Sequence, residues 1–124
     1  MNVLEIRELC LNLPYVLEDF PFDEETLVFK VMGKMFLLVD LVSHPLMVSL
    51  KADPEEVVRL RESYSFVLPA YHLNKKYWIS LIIDEYTPIK LVKKLIEDSY
   101  FEVVKKLPKY KQEMIYNEIK YERR

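Results

Sequence analysis

A chain of 124 residues, 51% hydrophobic and 31% charged, has the size and composition of one globular domain and not of a disordered segment. No stretch approaches the ~20 apolar residues of a membrane span, and no basic stretch leads into an apolar one at the N-terminus, so neither a span nor a signal peptide is expected. The net charge of −2 argues against generic affinity for nucleic acid, and the single cysteine, Cys10, has no internal partner, which points to a reducing, cytoplasmic setting.

The charge is unevenly distributed. Residues 1–64 carry 6 basic and 12 acidic side chains, whereas residues 65–124 carry 12 basic and 8 acidic ones. Either charges fall wherever surface is available, or the second half presents a positive face. With one glycine and seven prolines, proline must supply most of the punctuation.

Asn2 is placed to cap a first helix, with Glu5 three residues on, and Val3, Ile6, Cys10 and Leu13 recur at helical spacing until Pro14 ends it. Cys10 falls in that apolar stripe and reads as a buried, inert thiol. In residues 18–25, Phe20 and Phe22 alternate with polar and proline positions, predicting a short edge strand. Five acids lie in that segment, but without calcium-loop spacing they read as a solvated rim. Thr26–Val31 and Lys34–Leu41 predict a hairpin with Gly33 in the left-handed position that Met32 would resist. Residues 46–51 alternate as a further strand after the turn at His44-Pro45. Asp53-Pro54-Glu55-Glu56 starts a short helix packed through Val57, Leu60 and Tyr64, with Glu56 closing a capping box.

Residues 65–70 are weakly strand-like, and a further strand carries Tyr77, Ile79, Leu81 and Ile83 on one face and Trp78, Ser80 and Ile82 on the other, apolar on both. Thr87-Pro88 opens a long helix to about Leu107, buried through Val92, Leu95, Ile96, Ser99, Val103 and Leu107. Pro108 breaks it, and residues 109–122 suit one more helix with Ile115 and Ile119 inward. The fold expected is α+β: a two-layer domain over residues 1–108, a twisted antiparallel β-sheet with helices packed on one face, followed by a helical extension over 109–124.

The stretch Tyr71-His72-Leu73-Asn74-Lys75-Lys76-Tyr77-Trp78 crowds a histidine, an amide, two lysines and three aromatics together with no acid among them. In a nucleic-acid interface Lys75 and Lys76 contact phosphates, Asn74 bonds a base edge or backbone oxygen, and an exposed aromatic such as Trp78 stacks, with His72 beside them. Lys51 and the run Lys105, Lys106, Lys109 and Lys111 would extend the footprint. The alternative is that Asn74 and Lys75 make an ordinary turn while Tyr71 and Trp78 pack in the core.

These residues also carry a resemblance. Glu18-Asp19-Phe20-Pro21-Phe22, Thr26-Leu27-Val28-Phe29-Lys30-Val31, Gly33-Lys34-Met35-Phe36, Leu50-Lys51-Ala52-Asp53-Pro54, the stretch from Tyr71 to Trp78, and Val103-Val104-Lys105-Lys106-Leu107-Pro108 together resemble the MmcQ/YjbR-like family. The likeness runs over about residues 5–108. It departs at Ala70 and Met32, where the family often has Gly or another small residue, and at Leu73 and Tyr77, where it often has Met and His. The resemblance implies a compact CyaY-like (frataxin-like) α+β domain whose strands and loops have been likened to a double-wing DNA-binding motif.

Three functions are weighed on this basis. DNA binding through Lys51, His72, Asn74, Lys75, Lys76 and Trp78 is expected to be weak and strongly salt-dependent, because few phosphate contacts are available. A protein-interaction or regulatory module, docking on a protein partner or on a second copy through residues 109–124, suits the near-neutral charge and the acidic first half better. Catalysis is not expected: there is no phosphate-cradling Gly loop, Cys-x-x-Cys, His-Glu-x-x-His or serine-nucleophile motif, and no metal or cofactor is implied. The first helix offers only Glu5 and Glu8 around Arg7, and a frataxin-like fold by itself does not confer iron binding.

Overall fold

A computed structural model describes residues 1–122. Helix α1 (Val3–Leu11) begins where the Asn2 side chain accepts from the Glu5 N–H at 2.9 Å. Strand β1 (Val16–Asp19) follows, and so the edge strand lies four residues before the expected Phe20–Phe22 segment. Residues 20–25 are instead a loop. Asp19 Oδ1 accepts from its neighbour Phe20 N–H, and Asp23 Oδ1 accepts from the N–H groups of Glu25 and Thr26, so these amides are spent locally and not on a ladder.

Strands β2 (Thr26–Val31) and β3 (Lys34–Asp40) form the expected hairpin. Gly33 takes φ +84°, but Met32 also has positive φ, +47°. A two-residue hairpin loop of this hand needs both central residues left-handed, and ladder bonds on either side hold Met32 there. Between Phe29 and Lys30 the register shifts: Phe29 pairs with Leu37 and Lys30 with Met35, leaving Phe36 unpaired. That bulge lets Phe36 and Leu37 both enter the helix-side core.

Strand β4 (Leu46–Lys51) leads to helix α2 (Pro54–Ser63), capped by Asp53, whose carboxylate accepts from Glu55 N–H. Glu56 does not close the expected box; its carboxylate grips Arg59 at 2.6 Å. The short strand β5 (Val67–Pro69) and strand β6 (Trp78–Ile83) complete a six-stranded antiparallel sheet in the order β1-β2-β3-β4-β6-β5. Helix α3 (Ile89–Val104) starts without a side-chain cap. Thr87, expected to cap it, instead donates its hydroxyl to Ile82 C=O and accepts from Asp84 N–H, tying the corner to β6. Helix α4 (Lys109–Glu122) turns back at Pro108. Gln112 donates to the carbonyls of Lys105 and Leu107, which the end of α3 leaves unpaired.

The helices pack on one face of the sheet. Strand residues such as Phe29, Val39, Val48, Leu50 and Leu81 meet the expected α3 stripe, now joined by Tyr100 and Val104, together with Ile6 from α1 and Leu60 from α2. Ile115 of α4 is fully buried in the same core, and Ile119 packs against it. Ser99 bridges helix and sheet: its hydroxyl donates to Phe36 C=O and accepts from Lys51 N–H at 2.8 Å. A polar residue therefore sits in the core with both bonding capacities used.

Cys10 is buried and its thiol is pushed up to about 12 by desolvation. The unfolded thiol ionises near 9, so this contribution to stability is full below pH 9 and declines as pH rises toward 12. At pH 8 the native protein should leave Cys10 unmodified by a thiol reagent that titrates it fully in denaturant. Rapid native labelling would contradict the buried placement.

Candidate nucleic-acid interface

Strand alternation sends Thr26 and Val28 of β2, Leu38 and Asp40 of β3, Met47, Ser49 and Lys51 of β4, and Trp78 and Ser80 of β6 to the face without helices. Part of this face is covered by residues 70–77, the connection from β5 to β6. Trp78 and Ala70 pack there with Val28 and Leu38, with Met35, Leu73 and Tyr77 partly buried around them. The connection is held by its own turn. Asn74 Oδ1 accepts from Lys76 N–H at 3.0 Å, and Asn74 C=O accepts from the N–H groups of Tyr77 and Trp78. Tyr77 C=O in turn accepts from Ala52 N–H at 2.8 Å, pinning the loop to the end of β4.

This architecture lifts a cationic ledge off the sheet. Around the Tyr77 ring stand the ammonium groups of Lys106 at 4.9 Å, Lys76 at 5.5 Å and Lys51 at 5.9 Å from its centroid. One residue earlier in the loop, Lys75 donates to Tyr71 C=O at 3.2 Å and lies 5.7 Å from the Tyr71 ring centroid. Among the described residues none of these four lysines pairs with a carboxylate, whereas Lys30, Lys94 and Lys105 pair with Asp19, Asp98 and Glu102. The Lys51 ammonium is held below the usual lysine range, first by partial burial and then by the Lys106 charge, partly offset by Glu102.

Beside the ledge the uncovered part of the face is a groove of about 530 Å³. Leu38, Met47, Ser49 and Ser80 floor it. Phe22 and Asp23 of the 20–25 loop stand on one side and Tyr71 and His72 on the other. The Ser49 and Ser80 hydroxyls, paired across β4 and β6, share a hydrogen bond of 2.7 Å. Among the described residues there is no group of three or more His, Cys, Asp or Glu side chains placed to hold a metal ion, and no helix long and apolar enough to cross a membrane.

The YjbR family model matches residues 11–102. The chain belongs to the YjbR family. It is similar to the uncharacterised YbdF of Escherichia coli O157:H7, 37% identical over 109 residues that cover 88% of this chain and 89% of that one. It is likewise similar to the uncharacterised YjbR of E. coli K12, 30% identical over 93% of this chain and 98% of that one. Among solved structures, Deinococcus radiodurans protein DR2400, a DUF419 domain, superposes with a TM-score of 0.86 at 42% identity over 92% of this chain and 87% of its own. A Pseudomonas syringae protein does so with a TM-score of 0.67 at 26% identity, over 80% of this chain and 96% of its own.

Within this YjbR domain the six residues singled out in the sequence fall into four environments. Lys51 and Lys76 converge at Tyr77, and Lys106 joins them. His72 lines the groove, while Lys75 stands beside Tyr71 at its rim. Trp78 is only 7% exposed and forms the packed floor beneath the loop, so it presents no face for stacking. Asn74 is exposed but spends its side-chain oxygen on the turn. Tyr71, 69% exposed, is the free aromatic of the stretch. Sequence reasoning missed Tyr77 as the point where the lysines meet, and it missed the groove. The one available signal was the β4 alternation, which sets Met47, Ser49 and Lys51 on the same side.

Proposed function

We propose that the protein is a non-catalytic nucleic-acid-binding protein of the double-wing kind, acting in the cytoplasm, that grips phosphates on the ledge formed by Lys51, Lys75, Lys76 and Lys106. The observation that carries this reading is the convergence of Lys51, Lys76 and Lys106 on one aromatic ring, none of them ion-paired with a carboxylate among the described residues. Three ammonium groups gathered without partners repel one another, and a phosphate entering among them relieves that repulsion. The tyrosine ring offsets part of it in the free protein, which lets the cluster persist. Elsewhere the surface is acidic enough to discourage adsorption, so affinity concentrates at this ledge.

With about three phosphates engaged, the plot of log affinity against log salt should slope at about −3. The double substitution Lys76→Glu with Lys106→Glu should lower affinity for a labelled DNA oligomer at least tenfold and flatten the slope to about −1. Both are read by fluorescence anisotropy at low ionic strength, with circular dichroism to show the fold intact. Unchanged affinity and slope in the folded double variant would remove the ledge from consideration.

A further inference from the structure

We infer that the groove beside the ledge receives an unstacked, amino-bearing nucleobase whose phosphate lies on the neighbouring lysines, so that the ligand is single-stranded and not duplex nucleic acid. This rests on the phosphate-binding reading above and adds to it the part of the ligand that would be read. A groove of about 530 Å³ lies within the usual range of small-molecule sites and exceeds what a single base needs. Its two rims come from opposed loops and each carries an exposed ring, Phe22 from residues 20–25 and Tyr71 from residues 70–77, which supply the faces on which bases stack. Lys75 stands beside the Tyr71 ring, so a base held at that rim brings its own phosphate to the cationic loop.

The polar groups inside then select the base. Asp40 uses Oδ1 to accept from Val42 N–H at 3.1 Å, and Oδ2 has no partner among the described residues. Asp23 spends Oδ1 on two backbone N–H groups, and its Oδ2 meets only the Thr26 hydroxyl at 3.3 Å. Of the two hydroxyl hydrogens on Ser49 and Ser80, one is consumed in their mutual bond. The groove is thus rich in spare acceptors and needs donors. Adenine, cytosine and guanine carry exocyclic amino groups that supply them; thymine presents carbonyls in the corresponding places, which carboxylates repel. In a duplex those amino groups are paired and the bases stacked, so only an unpaired strand or a free nucleotide can fill the groove.

Labelled twelve-residue dC, dA and dT oligomers, titrated by anisotropy at low salt, test this. dC and dA should bind about tenfold more tightly than dT, the scale of one hydrogen bond to a charged group. Asp40→Asn keeps the acceptor for Val42 N–H but turns the spare oxygen into a donor, so it should abolish the preference by weakening dC and dA binding and strengthening dT binding. Lys76→Glu should weaken all three alike. Displacement of the dC oligomer by dCMP from the wild type, absent with Asp40→Asn, would support the same site with a free nucleotide as the source. Equal binding of all three oligomers, or a preference that survives Asp40→Asn, overturns the groove inference while leaving the ledge standing. Failure of every oligomer to bind overturns both.

Discussion

Tyr100→Ala should destabilise the protein by about 3–5 kcal/mol and lower its melting temperature by roughly 10–20 °C. Tyr100 is fully buried in the C-terminal half of α3, meets Phe36 edge-on at 5.5 Å and Phe101 at 5.1 Å, and donates its hydroxyl to Pro14 C=O at 2.7 Å. Truncation therefore opens a cavity between helix and sheet and also leaves a carbonyl without its donor. Tyr100→Phe separates the two contributions: it keeps the ring and should cost about 1 kcal/mol. The phenol's ionisation is shifted upward by burial, so the Pro14 bond is intact throughout the neutral range. Against a total stability of about 5–15 kcal/mol, the alanine variant should be visibly fragile in a thermal melt. A loss below 1 kcal/mol would show that this side chain is not the centre of the core.

Trp78→Ala should cost a similar amount, about 3–5 kcal/mol, and its effect should be felt on the opposite face of the sheet. The indole underlies the 70–77 loop, packed with Val28, Leu38 and Ala70 and paired in register with Lys51. Removing it takes away the floor on which the lysine-bearing turn rests, so trypsin should cut after Lys75 and Lys76 far faster than in the wild type. Tyr71→Ala is the informative contrast. Its ring is largely in solvent, so the melt should hardly move, whereas oligomer binding should weaken by the loss of a stacking face, about 1–3 kcal/mol. If Trp78→Ala melted like the wild type and only binding suffered, the indole would be a contact residue after all, contrary to its burial.

The contrast between these two aromatics shows how far residue types alone can be read. Both stand in one cationic stretch, and nothing in their chemistry says which one faces water. The strand period places Trp78 opposite Ile79 and Ile83, but a sheet face backed by no helix would ordinarily be wet. It is dry at Trp78 because the loop that follows β5 folds back over it, a contact that depends on where β5 pairs. Likewise Lys106 lies thirty residues beyond Lys76 in the chain, and only the return of α3 across the sheet sets both at Tyr77. The Ser49–Ser80 pair required the β4–β6 register, which no local pattern announces.

Local patterns, by contrast, were sufficient wherever the interaction is local. The Asn2 and Asp53 caps, the hairpin about Gly33 and the α3 stripe from Val92 to Val103 each depend on neighbours within a few residues, and each was legible from spacing and side-chain chemistry, although α3 ends at Val104 and leaves Leu107 buried in the turn beyond it. Mistakes arose where a local rule met a stronger constraint. Met32 adopts the left-handed conformation because the hairpin ladder demands it, and Phe20–Phe22 leave the sheet because aspartates capture their segment's amides. The α+β class, the helix positions and the cationic character of the 71–78 loop were therefore determined by the sequence itself. Which lysines meet, which aromatic is buried and where the groove lies were decided only by tertiary structure, because strand register and chain reversal bring together residues that no short-range periodicity relates.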